Sequence, residues 1–141
     1  FGIGTDSNVK ISLFEELRTL EYSQRLKFKS RIVLKKDNSY SIGRSLINSI
    51  LEGGMLASGR KTGKIHNGYW ADILALDLTS YDYFHLNNNE KLDYLIFSEK
   101  DAVIDSVLSA GRLLVKNGKH INRKKIISDY KLALHKISKS L

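Results

Sequence analysis

The sequence of 141 residues contains no cysteine and no proline, and it has no long apolar run. Without cysteine the chain can form neither a disulfide nor a thiolate metal site, so a bound metal would have to use His, Asp or Glu. A membrane-spanning helix needs about 20 apolar residues, and a signal peptide needs a basic flank and a small-residue cleavage site. Because both patterns are missing, we expect a cytoplasmic protein with no membrane partner. The absence of proline is unusual against an average of about 5%.

The composition that is present fits one packed domain. Hydrophobic residues make up 42% of the chain, which argues against disorder. The net charge of +8 raises the question of nucleic acid, but the 23 basic residues are spread evenly, with 12 in residues 1–70 and 11 in residues 71–141. Since no known nucleic-acid-binding motif accompanies them, we expect no nucleic-acid partner. A non-catalytic basic module that contacts polyanions stays open as an alternative.

Familiar catalytic motifs are also missing. The glycines at 59, 63 and 68 have neither the dinucleotide-binding nor the phosphate-loop spacing. No G-x-S-x-G elbow occurs, and no H-x-H or H-E-x-x-H pair would place two imidazoles on one metal. We therefore interpret the four histidines as isolated surface or loop residues: His66, His85, His120 and His135. Motifs alone reveal no complete active site.

The most informative segment is the start of the chain. Phe1–Asn8 is predicted to be a short apolar strand that carries Asp6 at its C-terminal end, and a capping box formed by Ser12 and Glu15 then begins a helix. A carboxylate at this position is where (β/α)₈ enzymes place catalytic groups, although an Asp in such a turn is more often a local turn former. Because the chain starts without Met and inside an apolar segment, we expect residue 1 not to be a natural domain edge.

Two helices are predicted next. Leucines at helical spacing indicate one helix or two over residues 13–36, with a polar stop at residues 35–38. A second amphipathic helix is predicted from about Ser45 to Ser58. It contains Gly53 and Gly54, and paired glycines weaken a helix by up to about 1 kcal/mol each. We therefore expect close packing of a neighbour at these glycines. Residues 59–68 are predicted to be turns.

The second half is predicted to contain strands and a terminal helix. Residues 71–77 fit a buried strand, residues 79–93 a loop with aromatic anchors, and residues 92–97 a strand or a short helix. Residues 103–108 and 113–115 are predicted to be two strands, followed by a hairpin turn at Asn117–Gly118. A basic amphipathic helix should begin near Asn122, with an apolar face that runs to Leu141. We expect this helix to dock onto its own domain rather than onto a membrane.

Four stretches together carry a family resemblance: GTDSNVKISLFEELRTLEYSQRL, IGRSLINSILEGGMLASG, GYWADILALD and SVLSAGRLLVKNGKH. They resemble the C-terminal third of amidohydrolase-superfamily enzymes, and the greatest likeness is to the formiminoglutamate deiminases of histidine degradation. A guanine-deaminase-like aminohydrolase stays open. Lys61 or a neighbour stands where the family often has proline, and Tyr69–Trp70 replaces the more usual small or basic residues.

The resemblance implies an α/β fold. Residues 1–62 would be the last strand and following helices of an incomplete (β/α)₈ barrel, residues 63–121 the C-terminal strands of a small β-sandwich, and residues 122–141 a C-terminal amphipathic helix. Because the other seven barrel strands are not in this sequence, we expect Ile3 and the faces of the first two helices to be left uncovered.

The resemblance also implies a reaction and a site. Asp6 would be both a catalytic residue and a metal ligand, with one zinc ion as cofactor and N-formimino-L-glutamate as the small-molecule substrate. The zinc-bound water would hydrolyse it to N-formyl-L-glutamate and ammonia. The family's histidine ligands lie upstream of residue 1, so we expect the isolated chain to be inactive, since zinc needs three or more protein ligands. For the full-length enzyme the resemblance allows a homodimer.

Overall fold

The computed structural model describes residues 1–36, 41–98 and 103–139. Helices α1 (Leu13–Phe28) and α2 (Ile42–Ser58) come first in the chain, and helix α3 (Asn88–Phe97) lies between the first and second strands. Four strands form one sheet: β1 (Ile73–Leu76), β2 (Ile104–Ser109), β3 (Arg112–Lys116) and β4 (Lys119–His120). The last element is helix α4 (Arg123–Ser138). Residues 37 and 38 of the predicted polar stop, and Leu141 of the predicted apolar face, lie outside the described residues.

The predicted strand at the start of the chain is wrong. Residues 1–8, all of which are described, form irregular backbone and a turn. A strand exists only when a neighbour accepts and donates its ladder hydrogen bonds, and this segment instead lies against helices. The expectation that Ile3 is uncovered is also wrong, because Ile3 is half-buried against the core residues Leu17, Leu46 and Ile96. Since Leu17 and Leu46 are fully buried, the first two helices are covered at these positions as well.

Helix α1 begins where the sequence predicts and ends earlier. The Ser12 hydroxyl accepts a hydrogen bond from the Glu15 N–H at 3.4 Å, which satisfies one of the free N–H groups of the first turn. The Glu15 carboxylate lies 2.5 Å from Lys10 Nζ. Lys29 ends the helix in the left-handed conformation, with φ of +50°. The prediction of one helix or two over residues 13–36 therefore extended past the end of α1, and the described residues after Lys29 form no second helix before α2.

Helices α2 and α3 start earlier than predicted because polar caps fix their N-termini. The Ser41 hydroxyl accepts from the Arg44 N–H at 3.0 Å, so α2 begins at Ile42 rather than at Ser45. Asn87 and Glu90 form a full capping box, and they turn the end of the predicted 79–93 loop into the first turn of α3. The open choice for residues 92–97 is thus settled as helix. Tyr83, fully buried, is one aromatic anchor of the loop before it.

The sheet is an antiparallel meander in the order β1-β2-β3-β4. The turn at Asn117–Gly118 is confirmed, with φ of +49° and +67°, and Ala110 and Gly111 form a turn of the same kind between β2 and β3, with φ of +50° and +77°. Two successive positive φ angles make the tight hairpin turns whose twist suits antiparallel strands.

The core lies between the helices. Leu17 of α1, Leu46 of α2 and Ile96 of α3 are fully buried and contact one another in one cluster. Gly53 allows the start of the chain to pack closely against α2, because a methyl group at this position would overlap the Phe1 carbonyl. Gly54, in contrast, faces open space. The predicted close packing is therefore confirmed for Gly53 and wrong for Gly54.

Helix α4 does not dock as predicted. Residues 123–138 are all exposed, so none of the described residues of α4 is buried. Its apolar face is open to solvent, with Ile126 at 52%, Tyr130 at 61% and Ile137 at 56% exposure. The predicted apolar stripe exists, but no other part of the described chain covers it. No helix in the described ranges is long and apolar enough to cross a membrane.

Candidate functional site

Asp6 lies in a turn at the exposed edge of the helical layer. The Asn8 N–H donates to the Thr5 carbonyl at 2.8 Å, which closes a four-residue turn over residues 5–8. Asp6 is the first central residue of this turn and has φ of +42°. That left-handed conformation costs a non-glycine residue roughly 1 kcal/mol, although Asp tolerates it better than most. The turn therefore presents a carboxylate in a conformation that glycine would adopt with less strain.

The turn is tied to helix α1 by a side-chain hydrogen bond. Asn8 Nδ2 donates to Glu16 Oε1 at 2.8 Å. Glu16 immediately precedes Leu17, which is fully buried in the core. On the other side of the turn, Ile3 packs against the same core. The Asp6 turn thus has an anchor at each end, one polar and one apolar.

The described residues do not form a metal site by themselves. Nowhere in residues 1–36, 41–98 and 103–139 do three or more His, Cys, Asp or Glu side chains gather in a way that would hold a metal ion. A single carboxylate such as that of Asp6 offers one oxygen ligand, whereas a protein zinc site needs at least three. The residues that the structure describes therefore do not offer a complete zinc coordination shell.

The histidines are separated, as their spacing predicts. His66 lies with its Nδ1 2.8 Å from the Asn67 carbonyl oxygen, and the Asn122 N–H donates to His120 Nδ1 at 3.1 Å. His85 contacts Phe84 edge to face, and His135 is exposed on α4. The structure brings none of these four side chains into a cluster with Asp6 among the described residues.

Asp72 is a polar connection point that the sequence prediction missed. Its carboxylate accepts from the Ala110 N–H at 2.7 Å and from the Thr62 hydroxyl at 3.1 Å, and it lies 3.4 Å from an Arg60 guanidinium nitrogen. The Ala110 N–H bond is the main reason that the pKa of Asp72 is lowered, and Thr62 and Arg60 add to it. Asp72 thus ties the loop before β1 to the β2–β3 turn, which is a structural role.

Glu21 is a second missed residue, and it is fully buried. Its carboxylate accepts from Arg25 Nε at 2.8 Å, from the Val33 N–H at 3.2 Å and from the Leu34 N–H at 3.0 Å. Buried carboxylates need such partners, because an unpaired charge in the interior is strongly unfavourable. Glu21 therefore holds the segment after α1 against the helix. The helical period does place Glu21 on the face of Leu17, but it cannot reveal that the N–H groups of Val33 and Leu34, beyond the helix, return to bond it.

A further open feature is an apolar groove between the helices and β1. It has a volume of about 270 Å³, and its lining includes Phe14, Ile50, Ile73 and Leu95. Several large apolar side chains elsewhere are also strongly exposed: Val9, Ile11, Leu26, Leu56 and Phe84. A contiguous apolar groove, unlike singly exposed side chains, is the kind of surface on which proteins bind partners.

Comparison with known proteins identifies relatives of this chain. No protein-family model matches the sequence. Formimidoylglutamate deiminase of Pseudomonas aeruginosa is 39% identical over 119 residues, which are 84% of this chain and 26% of that protein. The chain thus spans about a quarter of the length of this curated relative.

Solved structures give the same relationship. An amidohydrolase from Brucella melitensis is 37% identical and superposes with a TM-score of 0.84, covering 96% of this chain and 30% of that one. An adenosine deaminase from Xanthomonas campestris with bound zinc superposes at 0.74 with 20% identity, again over 96% of this chain and 30% of that one. The second match supports the fold alone. Both place the whole arrangement of helices and sheet inside a much longer enzyme.

Proposed function

We propose that this chain is one part of an amidohydrolase-superfamily deaminase, and that it contributes an acidic catalytic residue, Asp6, to hydrolysis of N-formimino-L-glutamate. The observation that carries the substrate assignment is the 39% identity to formimidoylglutamate deiminase over 84% of the chain. In the reaction water adds to the formimino carbon, the carbon–nitrogen bond breaks, and ammonia leaves N-formyl-L-glutamate. Zinc is proposed as the cofactor because a bound zinc ion lowers the pKa of its water and so supplies the nucleophile for such a hydrolysis.

Asp6 would act on the proton of the attacking water. Asp6 lies in an exposed turn, so it is accessible from solvent. A bound zinc would supply a water of lowered pKa, with Asp6 as one of its protein ligands. Because no three metal-ligating side chains gather among the described residues, the remaining ligands would come from the part of the enzyme that this chain does not span. We therefore expect the 141-residue chain alone to be inactive.

The division of the chain follows from the same proposal. Residues 1–62 would complete a barrel, residues 63–121 would belong to a β-sandwich, and residues 122–141 would form the terminal helix. The exposed apolar face of α4 and the apolar side chains around Val9 and Ile11 are consistent with further protein covering them.

The test compares the chain alone with a chimera. In the chimera, this chain replaces the matching quarter of the Pseudomonas deiminase. With zinc and N-formimino-L-glutamate we expect ammonia release from the chimera and none above background from the 141-residue chain. A folded, zinc-loaded chimera that hydrolyses an adenosine-type substrate instead would contradict the substrate assignment. Turnover by the isolated chain at the rate of the complete enzyme would contradict the division of the site.

A further inference from the structure

We propose that Asn8 and Glu16 are positioning residues that hold the residue 5–8 turn in shape and so fix the direction of the Asp6 carboxylate. The functional consequence rests on the proposed role of Asp6. The geometric part does not, because it concerns a turn that can be observed in the chain itself. Neither residue is expected to touch substrate.

The first step is the conformation of Asp6. Its φ of +42° lies in the left-handed region, and glycine would occupy that region without a steric penalty. Gly2 and Gly4 show that this segment uses glycine freely, yet position 6 carries a carboxylate. Residues kept in sparsely populated conformations persist only where the surroundings hold them, and such residues cluster at functional sites. Something near Asp6 must therefore hold the turn.

The second step identifies what holds it. Asn8 donates two hydrogen bonds, one within the turn and one to helix α1. Its N–H donates to the Thr5 carbonyl at 2.8 Å, and its Nδ2 donates to Glu16 Oε1 at 2.8 Å. The first bond closes the turn, and the second fixes the closing residue to α1. Since Glu16 precedes the fully buried Leu17, its backbone is part of a rigid element. Supporting hydrogen bonds of this kind orient ligand side chains in metal sites.

The neighbouring ion pair provides a matched control. Lys10 Nζ lies 2.5 Å from Glu15 Oε2, in the same first turn of α1, and this pair follows the residue 5–8 turn without closing it. Glu15 and Glu16 are adjacent carboxylates on one helix, and only Glu16 bonds to Asn8. Replacing Glu15 therefore removes the same charge from the same helix end while leaving the Asn8–Glu16 hydrogen bond, here called the clamp, intact.

The first experiment uses the 141-residue chain. Solvent exchange of the Asn8 amide proton, measured by NMR, reports whether the turn stays closed. We expect Asn8→Ala and Glu16→Ala to raise that exchange rate about tenfold, and Glu16→Gln, which keeps an acceptor oxygen, and Glu15→Ala to leave it unchanged. Asn8→Asp should open the turn by repulsion between two carboxylates, and adding Glu16→Gln should restore it by reversing donor and acceptor. Equal exchange rates in all variants would overturn the proposal.

The second experiment measures zinc affinity in the chimera by competition with a chelator. We expect Asn8→Ala and Glu16→Ala to weaken zinc binding about tenfold without changing the melting temperature, and the Asn8→Asp/Glu16→Gln pair to recover it. A loss of affinity that Glu15→Ala shares equally would overturn the positioning role. If the unmodified chimera binds no zinc, the proposed function fails, and the exchange rates alone decide whether the clamp exists.

Discussion

Helices α1 and α4 have the same length, 16 residues, and both are amphipathic, yet they end up in opposite environments. Helix α1 buries Leu17 and Glu21 and packs against α3, whereas α4 buries none of its described residues. The difference shows that a helical period predicts the helix and not its partner. What covers α1 is encoded in this chain, and what would cover α4 is not among the residues that the structure describes.

The largest expected contrast is between one leucine from each helix. Leu17→Ala should lower the free energy of unfolding by about 3–4 kcal/mol, because it removes buried methyl groups and leaves a cavity at the centre of the core. Leu134→Ala in α4 removes a side chain that is 46% exposed, so the loss should be below about 0.5 kcal/mol. Urea denaturation of both variants measures the difference. Equal losses would mean that α4 is covered in solution.

The next contrast concerns two ion pairs of the same spacing. Glu21 and Arg25 in α1 are 2.8 Å apart with the carboxylate fully buried, and Lys125 and Asp129 in α4 are 2.7 Å apart and exposed. We expect Glu21→Ala to cost about 3 kcal/mol, since it leaves buried N–H groups without an acceptor. Asp129→Ala should cost about 0.3–0.5 kcal/mol. Unfolding energies that differ by less than about 1 kcal/mol would contradict this account.

The same contrast between covered and open positions exists within α2. Gly53→Ala would push the Phe1 backbone away and should destabilise the protein by about 1–3 kcal/mol. Gly54→Ala meets open space and should stabilise the helix by up to about 1 kcal/mol. Thermal melting of the two variants checks the opposite signs. Stabilisation by both substitutions would show that the start of the chain does not pack on α2.

A smaller effect should distinguish two aspartates that flank β1. The pKa of Asp72 is lowered mainly by the Ala110 N–H, and that of Asp77 mainly by the Thr79 hydroxyl. A carboxyl whose pKa is lower in the folded state stabilises the fold above its unfolded pKa of about 3.9, and this stabilisation is lost as the pH falls through the folded pKa. Unfolding should therefore become easier below about pH 4.

Substitution separates the two carboxyls in that pH range. Asp72→Asn should reduce the pH dependence more than Asp77→Asn, because Asp72 joins two separate loops whereas Asp77 bonds to its neighbour Thr79. Urea midpoints followed from neutral to acidic pH measure this. If the urea midpoint of Asp72→Asn depends on pH as that of the unmodified chain does, Asp72 does not stabilise the fold by joining the two loops.

Local signals predicted much of the fold. Asn117–Gly118 marked its hairpin turn, and Ser12 marked the start of α1. Asn87 and Glu90 carried a capping signal that the interpretation as a loop overlooked, so this error was avoidable. The end of α1 could not have been predicted in this way, because Lys29 adopts the left-handed conformation at a position where helices usually have glycine.

The candidate site was predictable only in part. Asp6 was selected by its place before a capped helix and by family resemblance, and its role stays a prediction. The Asn8–Glu16 bond joins residues eight positions apart across a turn, and the hydrogen bonds of Glu21 reach 12 and 13 positions along the chain. Such contacts depend on how the chain folds back, which a periodic pattern does not encode.

The most direct test of the central claim is the steady-state rate of ammonia release from N-formimino-L-glutamate by the chimera with Asp6→Asn. Asparagine keeps the size of the side chain and tolerates the left-handed conformation, so the turn should survive while the proton acceptor is lost. We predict that kcat falls about a thousandfold, with Asp82→Asn, an exposed acid elsewhere, unchanged. A folded Asp6→Asn chimera that retains full kcat would contradict the account.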